Sequence, residues 1–283
     1  TQHHFDEEVL KGLRLDPRTL NLRDYRHWLA TILRPSREVT IAVVGKYIRH
    51  QDAYKSIYEA LSHAAMAHHA KLHLLRVESE ELEHGSAAAR LAKADGVLVP
   101  GGFGRRGLLG KFKAVEYART HNVPFLGICL GMQCAVIEFA RDVVGWQDAD
   151  SAEFADTRHP VIALMEEQKG LKDMGGTMRL GAYDCTLAPE SRAAALYGSN
   201  HISERHRHRY EFNPAFRGEL ETAGLSIAGT NPQTGLVEVI ELPGHPFFIG
   251  CQFHPEFKSR PRAAHPLFDG FVAAALAHHE AQR

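Results

Sequence analysis

Residues 124–133 read PFLGICLGMQ. The first half, Pro124 to Ile128, is a short apolar run of the length expected of a buried strand. From Leu130 to Phe139 the sequence LGMQCAVIEF has the character of a buried helix. Cys129 falls on the corner between them. Gly127 and Gly131 let neighbouring backbone pass close by without a Cβ clash. This is the pattern of a nucleophile elbow, a strained strand-to-helix turn that lifts one side chain clear of a sheet, with sulfur here in place of the serine oxygen. The alternative is a small buried apolar residue, as most cysteines are. The glycine bracket and the position at a helix N-terminus, where the dipole favours a thiolate, argue for the nucleophile. Cys134, inside the helix, has no such context and reads as packing.

The same strand-then-helix pattern precedes the elbow. VTIAVVG (Val39 to Gly45) is an apolar run ending in glycine, residues 53–69 read as a helix, and KLHLLRV (Lys71 to Val77) reads as a strand. GVLVPGG (Gly96 to Gly102) is a further strand ending in a tight turn, and a helix follows around Lys111 to Thr120. Such alternation predicts an α/β fold, a mainly parallel central sheet with helices on both faces. Ligands of such sheets bind at the carboxyl ends of the strands. Both PGGFG (Pro100 to Gly104) and Cys129 fall at such ends. The second half is less regular, with strands expected at Pro160 to Leu164, Leu225 to Gly229, Leu236 to Leu242 and Phe247 to Phe253, and a closing helix from Pro266 to His279.

Residues 1–38 differ in character. They are rich in charge and hold one amphipathic stretch, Leu22 to Leu33, with Leu22, Tyr25, Trp28, Leu29 and Ile32 at helical spacing before Pro35 stops it. The expected division is therefore 1–38 as a linker or the tail of something preceding it, and 39–283 as the main domain.

The 283 residues suffice for one large domain plus an appendage. A net charge of −1 favours neither nucleic acid nor an anionic membrane as partner. No apolar run approaches the roughly 18 residues of a membrane span. TQHHFDEEV at the start has no signal-peptide pattern. The four cysteines, Cys129, Cys134, Cys185 and Cys251, are scattered, which suits a reducing cytoplasm better than a disulfide framework.

A thiol nucleophile needs a base and a group to orient it. CQFHPEF (Cys251 to Phe257) supplies both at the end of an expected strand. His254 can take a thiol proton and return it to a leaving amine. Glu256, two residues on with Pro255 between, can select its tautomer and stabilise the imidazolium. PGGFG is a glycine-rich turn whose N–H groups, with that of Leu130, can form an oxyanion hole. It is not a phosphate loop, because the G-x-x-x-x-G-K-[ST] spacing is absent. ERHRHRYEF (Glu204 to Phe212) has three readings: a solvated edge strand, a metal site with His201, or an arginine that holds a substrate carboxylate. No cysteine or carboxylate spacing completes a coordination shell, so no metal is expected.

PGGFG, GICLGMQ and FHPE together resemble the class I glutamine amidotransferases, α/β enzymes of flavodoxin-like architecture with a Cys-His-Glu triad. VGKY with DAYKSIYEAL, GGTMRLGA (Gly175 to Ala182), ERHRHRYE, and CQFHPEF with PRAAHPLF (Pro261 to Phe268) further resemble the glutaminase half of the cytidine triphosphate synthase family, from about Val39 to the last helix. The resemblance implies catalytic Cys129, His254 and Glu256. It implies glutamine-binding positions at Gly102, Leu130, Gly131, Met132, Gln133, Glu153 and Arg209, with Gly102 also serving the oxyanion hole. Glu153 suits the substrate ammonium and Arg209 its carboxylate.

The same resemblance implies hydrolysis of L-glutamine to glutamate and ammonia, with no cofactor in this chain. ATP, UTP and magnesium belong to an amidoligase half that these residues do not contain, and GTP acts as an allosteric activator. In the whole enzyme, a homo-oligomer, the ammonia would aminate UTP to CTP. Two other readings remain. One is the glutaminase subunit of a different synthetase, against which the ERHRHRYE and GGTMRLGA matches weigh. The other is a catalytically weak regulatory or assembly module, against which the intact triad weighs.

Overall fold

The computed structural model describes residues 4–16, 21–48, 50–164 and 178–282. The chain divides into two units, Thr1–Arg34 and Pro35–Arg283. The first contains helices α1 (Phe5–Gly12) and α2 (Arg23–Leu33). Arg34 leaves the helical region, with φ −137° and ψ 66°, as a residue before proline tends to do.

The second unit begins with β1 (Arg37–Gly45), α3 (Lys55–Ala67) and β2 (Ala70–Glu78), followed by the short helices α4 (Ser79–His84) and α5 (Ala87–Leu91). Then come β3 (Gly96–Val99), α6 (Leu108–Thr120), β4 (Phe125–Ile128) and α7 (Leu130–Phe139). After β5 (Asp150–Ser151) and β6 (Pro160–Ala163) the chain forms β7 (Arg179–Leu187), α8 (Arg192–Tyr197), β8 (His201–His208) and β9 (Glu211–Phe212). It closes with α9 (Arg217–Thr222), β10 (Ser226–Thr230), β11 (Val237–Glu241), β12 (Phe248–Cys251) and α10 (Pro266–Ala281).

Among the described residues the main sheet runs β2-β1-β3-β4-β12-β11-β10-β7-β8. Neighbours from β2 to β12 are parallel, in the strand order of flavodoxin-like folds. From β12 to β8 every pairing is antiparallel. The parallel core is thus as expected, and the antiparallel extension includes two strands, β7 and β8, that no apolar run announces. Residues 175–177 of the GGTMRLGA stretch lie outside the described residues, and its last residues enter β7.

Strand periodicity places the core on both faces. Ala42, Val44, Val97 and Val99 pack with Phe112 and Val115 of α6 and with Met132 and Val136 of α7. Ile41, Val43 and Leu98 pack on the other face with Ile57 and Leu61 of α3 and with Phe268 and Phe271 of α10. Each such side chain, fully buried, stabilises the fold by about 1.5–3 kcal/mol. The approach of α7 to the sheet is backbone-close: a Cβ built on Gly131 would stand 1.9 Å from the Val99 carbonyl oxygen. No other residue type fits there without moving β3 or α7. A second sheet, β5-β6-β9, sets Glu153 just after β5 and Arg209 just before β9. Among the described residues no helix is long and apolar enough to cross a membrane.

Candidate active site

Three adjacent parallel strands, β3, β4 and β12, end side by side and deliver three different loops. β3 leads into PGGFG, β4 into Cys129, and β12 into His254. Cys129 has φ 54° and ψ −109°, a backbone state that L-residues avoid and that costs about 1–3 kcal/mol. It is held there from both sides. Its N–H donates to the Cys251 carbonyl at 2.7 Å, and its own carbonyl accepts from the Gln133 N–H at 3.1 Å. The elbow predicted from glycine spacing is therefore present.

The His254 ring and Cys129 both border the Gly101 turn and interact electrostatically. On its other side His254 Nδ1–H donates to Glu256 Oε1 at 2.8 Å, which leaves Nε2 for the sulfur. Glu256 is buried in the short helical turn Pro255–Lys258. Burial alone would lower the His254 pKa. The negative charges of Cys129 and Glu256 and their hydrogen bonds outweigh it and push the imidazole up to about 10. The other three cysteines lack such a partner. Burial pushes Cys134 up to about 11 and also raises Cys185 and Cys251.

Gly101 and Gly102 lie against this pair. A Cβ on Gly101 would be 3.1 Å from His254 Cε1 and 3.5 Å from Cys129 Cβ. Leu130 opens α7, so its N–H has no acceptor within the helix. A narrow recess of about 30 Å³ beside Cys129 is lined by Gly102, Leu130, Gln133, Glu153 and Arg209. Gly131 and Met132 instead turn toward the sheet, against Val99 and Gly250. Gln133 is itself anchored, its Nε2 donating to the Tyr210 carbonyl at 2.9 Å and to Gln252 Oε1 at 3.1 Å.

Glu153 and Arg209 both line the recess, close enough for the Arg209 charge to act on the Glu153 carboxyl. Burial raises the Glu153 pKa, against the Gly104 N–H that it accepts from and the charges of Lys46 and Arg209. Arg209 Nε finds no hydrogen-bond partner among the described residues. The pair thus offers an acceptor for an ammonium and a free guanidinium edge for a carboxylate. Phe103, His208 and Tyr210 also line the recess and were not singled out from the sequence, although each flanks a residue that was. A wider chamber of about 450 Å³ also borders Cys129, and its lining includes His254, Glu256, Tyr47, Tyr54 and Phe257.

ERHRHRYE lies in β8, the last strand of the sheet, and continues just beyond it. Glu204, His206 and His208 alternate inward, and Arg205 and Arg207 outward. Two of the inward groups have close partners, His208 Nε2 at 2.7 Å from Glu211 and Glu204 at 3.1 Å from His265, and Arg179 of neighbouring β7 is ion-paired with Glu211 and Glu238 at 3.1 and 2.8 Å. Among the described residues no three His, Cys, Asp or Glu side chains are grouped to hold a metal ion.

A cysteine elbow with a His-Glu partner on a flavodoxin-like sheet defines a class of protein. The family model for glutamine amidotransferase class-I matches residues 50–274, and the chain belongs to that family. Within it, the chain groups with the glutaminase domains of CTP synthases. It is 44% identical to the Trypanosoma brucei CTPS glutaminase domain solved with bound acivicin, at a TM-score of 0.79, over 84% of this chain and 93% of that one. It is 57% identical to the CTP synthase of Fibrobacter succinogenes over 98% of this chain and 49% of that protein. Against the CTP synthase of Microcystis aeruginosa it is 52% identical, over 95% and 50%. The chain thus spans about half the length of the curated relatives it matches.

Proposed function

We propose that the chain hydrolyses L-glutamine through Cys129, His254 and Glu256. The observation that carries this reading is the grouping of Cys129 with His254, itself hydrogen-bonded to Glu256, beside a recess lined by Cys129, Glu153 and Arg209. Arg209 holds the substrate carboxylate and Glu153 its ammonium, which turns the side-chain amide toward the sulfur. Cys129 Sγ attacks the amide carbon, and the N–H groups of Gly102 and Leu130 receive the developing oxyanion. As the C–N bond breaks, His254 gives its proton to the nitrogen and ammonia leaves. His254 then takes a proton from water. The hydroxide attacks the γ-glutamyl thioester, and glutamate leaves as Sγ is released. Glu256 keeps the imidazole in register throughout. His254 and Glu256 border the wide chamber rather than the recess, so ammonia departs on that side.

In the longer protein this ammonia would aminate UTP in an ATP- and magnesium-dependent amidoligase half, with GTP as activator and the assembly a homo-oligomer. The names of the longer relatives support this. All four cysteines are free, which suits a reducing compartment such as the cytoplasm.

Glutamate and ammonia released in equal amounts from glutamine test the reaction. Glu153→Gln tests the recess. With a charge-assisted hydrogen bond lost, KM is expected to rise by about 10- to 100-fold with kcat little changed. A KM unchanged in this variant would remove Glu153 from the substrate site.

A further inference from the structure

Two lysines outside the triad and the recess lie beneath the PGGFG loop. Lys46 follows β1 and is 2% exposed, and Lys111 in α6 is fully buried. Buried lysines are rare because desolvating an ammonium costs several kcal/mol. These two approach the same loop: a Cβ on Gly102 would be 3.7 Å from Lys111 Nζ and 3.8 Å from Lys46 Cε. We propose that Lys46 and Lys111 are positioning residues for the oxyanion hole, clamping the loop by its carbonyls and holding positive charge under the atom where the oxyanion forms. The inference rests on the glutaminase reading of Cys129 and deepens it.

The clamp is specific. Lys111 Nζ donates to the Pro100 carbonyl at 2.9 Å. Lys46 Nζ donates to the Phe103 carbonyl at 2.9 Å and to the Gly104 carbonyl. In a trans peptide the carbonyl and the following N–H point in opposite directions. Drawing the Phe103 oxygen down to Lys46 therefore turns the Gly104 N–H the other way, toward the Glu153 carboxylate, whose pKa it lowers. Lys46 thus acts on two parts of the site through one peptide plane. Lys111 acts on the Pro100 end, one residue before Gly101. The Pro100–Gly101 and Phe103–Gly104 peptides are pinned, and the Gly102 N–H lies in the short stretch between these two anchors.

Neutral donors would satisfy the same carbonyls at lower desolvation cost. The ammonium groups add charge that is fixed in advance and shielded from water, where it is most effective on a developing anion. Burial lowers Lys111 to about 8, opposed by Cys134 and Cys129 and reinforced by Lys46.

The test compares the parent chain with Lys111→Met and Lys46→Met, reading glutamine turnover, alkylation of Cys129 by iodoacetamide, and urea unfolding. Lys111→Met is expected to lower kcat by about 10- to 100-fold with KM within about threefold, since it touches only the oxyanion side. Lys46→Met is expected to lower kcat similarly and also to raise KM, because the Gly104–Glu153 link loosens. Cys129 stays alkylatable in both, since His254, Glu256 and the backbone bonds that hold the Cys129 turn are unchanged. Turnover by either variant within twofold of the parent overturns the proposal. So does a loss of turnover matched by an equal loss of Cys129 alkylation, which marks general collapse of the site. If Lys111→Met does not unfold cooperatively, Lys46→Met carries the test. A parent chain that neither turns over glutamine nor is alkylated at Cys129 contradicts the glutaminase reading instead, which separates the two failures.

Discussion

Cys129→Ala is expected to lower glutamine hydrolysis by a factor on the order of 10⁴ or more, because the thioester route then has no nucleophile and the remaining groups act only on water. The fold should survive. Cys129 is small and sits with Ile128 and Leu98 in the apolar layer, and alanine keeps its Cβ. The variant also keeps Glu153, Arg209 and Gln133, so glutamine should still raise its thermal midpoint by mass action. Glutamate release measured alongside thermal unfolding separates the two effects. Loss of turnover with retained glutamine stabilisation is the expected result. Residual turnover within tenfold of the parent would place the chemistry on another residue. None of the other three cysteines is set up for it, being buried and shifted upward in pKa.

His254→Ala is expected to lower kcat by a factor on the order of 10³, since departing ammonia loses its proton donor and the attacking water loses its base. The histidine has a property that can be read without substrate. Its midpoint in an NMR titration should lie near about 10 rather than at the 6.5 of a free imidazole. The sign follows from the neighbours. Burial disfavours the imidazolium, while the negative charges of Cys129 and Glu256 favour it and win. In Cys129→Ala one of those charges and its hydrogen bond are gone, so the His254 midpoint must fall. A midpoint unmoved by that substitution would mean that Cys129 and His254 are not coupled.

The parallel half of the fold was legible because its strands are buried on both faces and read as apolar runs: VTIAVVG, GVLV and FLGI each became a strand. In the antiparallel half β10 and β11 were legible in the same way, and β7 and β8 were not. β7 and β8 place charged and histidine side chains at inward positions, where Arg179 pairs with Glu211 and Glu238, so no hydrophobic period marks them. The grouping of Cys129 with His254 and Glu256 was legible for a local reason: GICLG and HPE each concentrate their polar side chains within a few residues at a strand end. Glu153 and Arg209 are different. No spacing links them, and a small second sheet brings them to the same recess. Resemblance to known enzymes, rather than pattern, pointed to them. Lys46 and Lys111 escaped notice because in sequence a lysine reads as surface. Only their burial and the carbonyls they hold distinguish them.

The central claim is that Cys129 is an activated thiol facing a pocket for glutamine. The most direct test is to incubate the chain with a diazoketone analogue of glutamine and measure intact mass, with Cys129→Ala in parallel. The account predicts a single covalent adduct on the parent chain, slowed by excess glutamine and absent from Cys129→Ala. An adduct that persists in Cys129→Ala, or a parent chain left unmodified, would contradict it.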